Sequence, residues 1–391
     1  MNQRTEKIIA NYFDGKISDS EANELIAWIE KGNRDVFNEY VILNFSTEQL
    51  QAVKSDKKEM SWNIISSKIN NKRLVQGIPL YKRSVFKYAA AILIFVSAGY
   101  IFLTKDSVVD NTPIIVNNNI TAGTDKAILT LEDGTNITLE KGQQYTSKNV
   151  ESNGKDLIYV PKQIIQTKSK PSLAYNYLTI PRGGQYFVKL SDGTQVWLNS
   201  ESQLKYPVNF IEGETRLVEL VYGEAYFDVS PSTNHSNSKF KVLTGIQEVE
   251  VLGTEFNIKA YQDEEYVYTT LVEGKVAVKN SLTRSQLIPG QQAIINIDTE
   301  NLDIAEADIY RETSWKEGVF SFRKKPLKDI MRVLARWYDM DVVFESKNLK
   351  EERFIGTLDK SQSIESILLS IKNTSNINIV YKIKNKTIYL K

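Results

Sequence analysis

The chain has 391 residues, of which 41% are hydrophobic and 25% are charged, and its formal net charge is +1. This length allows two or three domains, and the near-neutral balance gives no overall basic signature for nucleic acid. The absence of cysteine excludes disulfides, thiolate zinc sites and cysteine nucleophiles. The single histidine, His235, lies in a polar stretch and is predicted to be a solvated loop residue, which disfavours histidine triads and multi-histidine metal sites.

Residues 1–76 show the apolar spacing of several short helices and are predicted to form a small all-α domain. Ser18 and Glu21, three positions apart, form a capping box at the start of one helix, and Gly32 follows the apolar run of that helix. The apolar residues of such a bundle either pack only its own core or also hold a helix of a partner.

The segment Tyr88–Thr104 contains no charged residue. Together with the residues just before it, it predicts one transmembrane helix over 85–104, about 30 Å long, which matches the bilayer core. The alternative is a buried core helix. Five basic residues and no acidic one lie between Lys72 and Lys87, so the N-terminal side is predicted to be cytoplasmic and the C-terminal side exported.

The exported part begins with a predicted linker over 105–125, which includes the Asn-rich stretch NTPIIVNNN. Residues 126–310 alternate apolar and polar positions in short runs, which predicts an all-β sandwich, barrel or short solenoid. Asp133-Gly134 and Asp192-Gly193 are predicted to form hairpin turns of type I′. The frequent aromatic residues either pack within and across the strands or offer a stacking surface for sugars or bases.

Residues 314–391 predict a small α+β domain with a β-α-β repeat. An amphipathic helix over 326–339, with Pro326 in its first turn, follows a short strand, and a second strand-helix-strand series begins near residue 353. Small modules of this kind are typical docking domains.

Several segments, in order, resemble the FecR family of inner-membrane sigma regulators, from about residue 120 to the end. A weaker likeness to the family's anti-sigma domains rests on ANYFDGKISDSEANELIAWI at 10–29. The segments that carry the main resemblance are TIPRGGQYFVKLSDGTQVWLNSESQLKYP (179–207), GEAYFDV (223–229), VEVLGTEFNIKAY (249–261), LVEGKVAV (271–278), LIPGQQA (287–293) and SWKEGVFSFRKKPLKDIMRVLARWYDMDVVF (314–344).

The resemblance implies a single-pass inner-membrane signal transducer with a cytoplasmic N-terminus and a periplasmic C-terminus. Its N-terminal domain would bind an extracytoplasmic-function sigma factor. Its C-terminal domain would receive the signalling domain of a TonB-dependent outer-membrane transporter, and periplasmic and intramembrane proteases would then release the sigma factor. Direct binding of nucleic acid is not implied. The alternative from the residues is a membrane-anchored periplasmic scaffold or glycan-binding protein.

No paired-carboxylate, phosphate-loop or metal-ligand spacing stands out, so we predict no enzyme, cofactor or metal site. The resemblance adds one candidate for chemistry, because family members can cleave their own chain at a Gly-Thr bond. The matching pair is Gly253-Thr254. The hydroxyl of Thr254 would attack the carbonyl of Gly253, and the glycine would permit strained geometry. The alternative is a strand residue beside a bulge glycine.

Overall fold

The computed structural model describes residues 19–28, 114–116, 119–147, 149–160, 173–374 and 379–391. The chain divides into two compact units, Met1–Thr112 and Pro113–Lys391. In the first unit the helix α1, Asp19–Trp28, confirms a helix directly after Ser18, with Leu25 buried. Ser18 itself and the other predicted N-terminal helices lie outside the described residues.

The predicted membrane segment also lies outside the described residues. Among the residues that the structure describes, no helix combines the length and apolarity needed to cross a membrane.

The second unit is mostly β, and it contains two structural regions. We call residues 124–306 the β region and residues 319–390 the C-terminal region. The first strands are β1 Ile114–Val116, β2 Thr124–Thr130, β3 Asn136–Glu140, β4 Tyr145–Ser147, β5 Val150–Ser152, β6 Asp156–Tyr159, β7 Tyr175–Ile180, β8 Gly184–Lys189, β9 Gln195–Leu198 and β10 Ser202–Pro207. The next are β11 Arg216–Asp228, β12 Phe240–Thr244, β13 Gln247–Val251, β14 Glu255–Ala260, β15 Tyr266–Glu273, β16 Val276–Lys279, β17 Arg284–Leu287, β18 Gln291–Asn296 and β19 Leu302–Glu306.

The C-terminal region follows the short helix α2, Ile309–Thr313, and one turn of 3₁₀ helix, Ser314–Glu317. Its elements, in chain order, are β20 Val319–Pro326, α3 Leu327–Tyr338, β21 Asp341–Phe344, α4 Lys347–Glu351, β22 Arg353–Asp359, α5 Ile364–Thr374, β23 Tyr381–Lys384 and β24 Thr387–Leu390.

The β region consists of two sheets that share β11 and enclose one hydrophobic core. One sheet has the order β3-β2-β7-β10-β11-β12-β13-β16-β17. The other has the order β4-β5-β6-β8-β9-β11-β14-β15-β18-β19. Alternate residues of these strands are buried, as in Tyr175–Ile180, because successive side chains of a strand point to opposite faces.

Strand β11 passes from one sheet to the other at Gly223. Residues before it pair with β10 and β12, and residues from Gly223 onward pair with β9 and β14. Gly223 has φ of +98°, and a Cβ at this position would lie 2.2 Å from the hydroxyl oxygen of Ser202. Only glycine fits this bend, which explains the glycine of GEAYFDV.

The two predicted hairpins are confirmed, but their predicted turn type is wrong. A type I′ turn requires positive φ at both central residues. Gly134 and Gly193 meet this requirement, with φ of +84° and +86°, but Asp133 and Asp192 do not. Each amide two residues beyond the aspartate donates to its carboxylate, at 2.9 Å and 3.0 Å. This side-chain hydrogen bond favours a right-handed turn at the aspartate, with glycine as the following left-handed residue.

His235 differs from its prediction as well. It lies in the predicted loop, but it is half-buried, and its Nε2 lies 2.9 Å from the hydroxyl of Ser230. Burial, together with the nearby charge of Arg216, lowers the pKa of His235. Arg216 is itself fully buried and forms an ion pair with Asp192 at 2.8 Å.

The predicted strand-helix-strand series of the C-terminal region is confirmed, including α3 after Pro326. The two first strands of the repeat, β20 and β22, pair with each other, while β21 pairs with β24 and β24 with β23. Helices α3 and α5 cover one hydrophobic cluster with these strands. The repeat is therefore one folded module, in which neither half has a sheet of its own.

Residues within the predicted linker belong to this same module. Strand β1 pairs in parallel with β23 through three residue pairs. Ile120 is 7% exposed and lies in the hydrophobic cluster of the C-terminal region. Gly123 lies so close to Trp337 that a Cβ would be 2.6 Å from Cε3 of the indole. The sequence predicted only an Asn-rich connector here, because the partners of these residues lie near the other end of the chain.

Candidate functional site

The pair Gly253-Thr254 lies in the short connection between β13 and β14. The pair therefore lies between two strands, because β13 ends at Val251 and β14 begins at Glu255. The backbone oxygen of Thr254 accepts a hydrogen bond from the amide of Val229, at 3.1 Å. The pair is thus fixed against the end of β11, the strand that joins the two sheets.

Gly253 and Thr254 are closely packed. Gly253 has φ of +152°, and a Cβ there would lie 2.9 Å from Cα of Pro231. A Cβ at Gly274 would lie 2.8 Å from Oγ1 of Thr254 and 3.0 Å from the carbonyl oxygen of Gly253. The site therefore needs glycine at both positions, one for its conformation and one for close approach.

The hydroxyl of Thr254 is held in one direction. The residue is 6% exposed, and its Oγ1 donates to the carbonyl oxygen of Lys275 at 3.1 Å. This partner is a backbone carbonyl, which orients the hydroxyl but is too weak a base to remove its proton. The described residues contain no group of three or more acidic or histidine side chains that could hold a metal ion.

The second notable site is the contact between the β region and the C-terminal region, which we call the joint. Arg336 of α3 is 4% exposed and reaches the loop after β14. Its guanidinium lies 2.8 Å from Glu264, forms a close ion pair with Asp263 and lies 3.4 Å from Glu201. It also stacks on Tyr261, with 3.5 Å between Cζ and the ring centre. These three carboxylates and one ring anchor α3 on the β region.

A chain of hydrogen bonds crosses the joint. The buried carboxylate of Glu224 accepts from the side-chain amides of Asn199 and Asn257, at 2.9 Å and 3.0 Å. The Asn257 carbonyl in turn accepts from the indole of Trp315, at 3.2 Å. The backbone oxygen of Trp315 accepts from the ammonium of Lys360, at 3.3 Å. Burial raises the pKa of Glu224, and its two amide donors oppose this rise.

Lys360 completes this network from the C-terminal region. It is 3% exposed, and its ammonium donates to the side-chain oxygen of Gln185 at 2.7 Å. The ammonium also lies 3.8 Å from the centre of a Trp337 ring. Burial lowers the pKa of Lys360 to about 7, although the charges of Glu224 and Asp125 act in the opposite direction. A buried lysine thus connects the two regions.

The turn between β7 and β8 forms the remaining part of the joint. Arg182 donates to the backbone oxygen of Ala335 at 3.1 Å and to that of Met340 at the end of α3. The amide of Gly183 donates to the backbone oxygen of Arg336, at 2.7 Å. A cation at a helix C-terminus is favoured by the helix dipole. The PRGG segment, quoted above for its resemblance, therefore serves to dock α3.

Sequence reasoning missed the joint. Arg336 and Lys360 are isolated charged residues, and such residues are exposed in most proteins. One signal for the burial of Arg336 was present in the sequence. Arg336 lies between Ala335 and Trp337 in the predicted amphipathic helix. The partners of both residues lie far away in the sequence, so their burial could not be inferred.

The aromatic residues of the β region mostly serve packing. Phe227 stacks on Phe256 with ring centres 5.1 Å apart in the core. Phe187, Trp197 and Tyr226 form a ladder across three neighbouring strands, at 4.9 Å and 5.7 Å. A separate cavity of about 630 Å³ lies beside Asp192 and His235. Both polar and apolar side chains line this cavity, and Phe210 is one of the aromatic residues among them.

Comparisons with known proteins match both regions of the second unit. A sequence profile described as FecR protein matches residues 176–277, and one described as FecR, C-terminal matches residues 319–390. No protein of curated function matches the chain. Two crystal structures of a candidate anti-sigma factor from Parabacteroides distasonis, at 1.65 Å and 2.50 Å resolution, are 30% identical to this chain. They match 55% of this chain and 98% of their own, with TM-scores of 0.50 and 0.49.

Proposed function

This chain belongs to the FecR family of anti-sigma regulators, and from this premise we propose that it transmits a signal across the inner membrane to an extracytoplasmic-function sigma factor. Family membership makes it a sigma-factor regulator in the general sense. The observation that carries this conclusion is the 30% identity over 98% of a candidate anti-sigma factor. The membrane topology, the type of sigma factor and the source of the signal are the specific parts of the proposal.

The proposed topology rests on the sequence. The uncharged segment Tyr88–Thr104 is long enough for a membrane helix, and the basic residues before it favour a cytoplasmic N-terminus. The helical N-terminal domain would bind the sigma factor inside the cell, and the unit from Pro113 onward would lie in the periplasm. A membrane-anchored periplasmic scaffold would need only the membrane helix, and it would not need a capped helical domain such as the one that contains α1.

The proposed signal is contact with the signalling domain of a TonB-dependent outer-membrane transporter. The C-terminal region supports this proposal because it is a small α+β module with strand edges, which suits docking by strand addition. The joint fixes this module to the β region, so a partner that binds the module acts on the whole unit. Proteolysis on the periplasmic side and within the membrane would then release the sigma factor.

We also propose that the chain cleaves itself at Gly253-Thr254. In this step the Thr254 oxygen forms a bond to the Gly253 carbonyl carbon and the peptide C–N bond breaks. The hydroxyl proton passes to the released amine, and water then hydrolyses the ester. The close packing around Gly253 and the oriented hydroxyl of Thr254 support the proposal.

The sigma-factor proposal is tested by co-expression of the full chain with the extracytoplasmic-function sigma factor encoded beside it, followed by purification in detergent. We expect the sigma factor to co-purify with the full chain and not with a chain that lacks residues 1–84. A full chain that captures no sigma factor would contradict the proposal. Equal capture by the shortened chain would instead contradict the assignment of binding to the N-terminal domain.

A further inference from the structure

Strand β1 occupies the edge of the C-terminal sheet although it comes from the opposite end of the unit. Among the described strands the sheet has the order β1-β23-β24-β21, so β1 lies at one edge and is bonded only to β23. Three residue pairs hold it, from Ile114 with Lys382 to Val116 with Lys384. This edge of β23 therefore accepts a strand that is not contiguous with the module.

The pairing of β1 is short for reasons that the sequence makes clear. Pro113 precedes the strand and has no N–H to donate, and three asparagines, which disfavour strands, follow it. A three-residue edge strand contributes little stability on its own. Strand β1 is long enough to cover the edge of β23, but it is too short to resist displacement by a longer strand.

The residues that follow β1 are anchored independently of it. Ile120 lies in the hydrophobic cluster of the C-terminal region, and Gly123 lies against the indole of Trp337. The hydrophobic cluster also contains Tyr381 and Ile383 of β23, whereas the contact of Gly123 is with Trp337 of α3. The contact between Gly123 and Trp337 therefore does not depend on the pairing of β1 with β23.

We propose that the edge of β23 is a strand-docking site, occupied in this structure by the chain's own Ile114–Val116. Its partner is an extended, β-branched strand of the transporter signalling domain, which displaces β1. This inference rests on the proposed function for the identity of the partner. The resident segment Ile-Ile-Val indicates the chemistry that the site accepts, namely main-chain pairing by an apolar extended strand.

The exchange gives docking a direct effect on the membrane-proximal segment. When β1 leaves the sheet, Ile114–Val116 lose their pairing with β23, and in the sequence this strand begins ten positions after the predicted membrane helix. A signal received by the C-terminal region thus reaches that segment directly through β1.

The test uses the full chain and a fluorescent peptide, NTPIIVNNNI, with the sequence of residues 111–120. In the full chain with Ile115→Pro, the inserted proline weakens the resident strand and leaves the edge open. We expect this variant to bind the peptide at least about tenfold more tightly than the wild type, because the tethered strand competes at an effective concentration on the order of mM. Fluorescence anisotropy measures the difference.

A peptide with proline at the matching position, NTPIPVNNNI, is the control and should not bind. A second variant uses the absence of cysteine in the chain. With Val116→Cys and Lys384→Cys, the disulfide should lock β1 in place and abolish peptide uptake, and reduction should restore the wild-type level. A folded Ile115→Pro chain that binds no peptide, or binds both peptides equally, would overturn the inference. Neither sigma factor nor transporter is present, so this result is independent of the proposed function.

Discussion

Individual charged residues decide how the two regions of the second unit are held together. Arg336 is compensated by three carboxylates, whereas Lys360 has no carboxylate among its hydrogen-bond partners in the described part of the chain. Its ammonium relies on Gln185, a backbone oxygen and aromatic rings. A buried cation with only neutral partners is costly, and its loss of charge relieves that cost. The two residues therefore respond differently to pH.

The first prediction concerns Lys360, whose folded pKa of about 7 lies below its ordinary value of 10.5. Between these values the unfolded chain binds more protons than the folded chain, so this lysine makes stability rise with pH, by at most about 1.4 kcal/mol per pH unit. Lys360→Met removes this contribution. We expect the stability of the variant relative to wild type to be greatest below pH 7 and to decline toward pH 10.

Thermal unfolding of both proteins from pH 6 to pH 10 checks this prediction, since other groups titrate equally in both and cancel in the difference. Lys347→Met, which removes one lysine charge at an exposed position, is the matched control. A constant difference for Lys360→Met would show that the lysine keeps its ordinary pKa.

At the scale of elements, a short polar segment turns out to complete a folded module. The residues before β2 provide a strand, a core side chain and a close backbone contact to the C-terminal region. The close contact at Gly123 leaves no room for a side chain, because the Trp337 ring cannot easily shift. Its indole donates to the backbone oxygen of Lys360 at 2.8 Å.

The second prediction follows from this contact. Gly123→Ala places a Cβ 2.6 Å from Cε3 of the indole, which is much closer than van der Waals contact. We therefore expect the free energy of unfolding to fall by about 1–3 kcal/mol, the usual cost of overpacking. Gly245→Ala is the control, since no atom of the described residues lies within 4 Å of a Cβ there. Denaturant unfolding measures both variants. Equal stability of Gly123→Ala and wild type would place this segment away from the C-terminal region.

At the scale of the whole molecule, the second unit is closed by contacts between distant parts of the chain. Several of them span the bond between Gly253 and Thr254. Strand β11 pairs with β14 through six residue pairs, β13 with β16 through three, and β1 with β23 through three. A cut at this bond would therefore leave the two pieces bound to each other.

The third prediction is that the purified wild type gives two pieces by intact mass under denaturing conditions and one species by native size exclusion. Thr254→Ala should give a single full-length mass and the same native elution volume, because the hydroxyl is needed for the cleavage and takes no part in the strand pairings that hold the two pieces together. One full-length mass in both proteins would exclude self-cleavage. Two native peaks in the wild type would instead contradict the association of the pieces.

The sequence by itself determined the classes of element and their order. Alternation at period two predicted the strands of the β region, and the apolar spacing after Pro326 predicted α3, because these patterns depend on neighbouring residues. The segments around Gly253-Thr254 pointed to a candidate for cleavage through a resemblance. Local patterns predict the class of an element because the helix and the strand both repeat over a few positions. The helix repeats through its hydrogen bonds, and the strand repeats through side chains that alternate between its two faces.

Only the tertiary structure decided which distant segments meet. It placed Ile114–Val116 on β23, buried Arg336 and Lys360 in the joint, and bent β11 at Gly223 so that it joins two sheets. It also set the turns at Asp133 and Asp192, where a side-chain hydrogen bond prevailed over the expected turn type. The physical reason is that burial and pairing depend on the partner, and the partner of each of these segments is not its neighbour in the sequence.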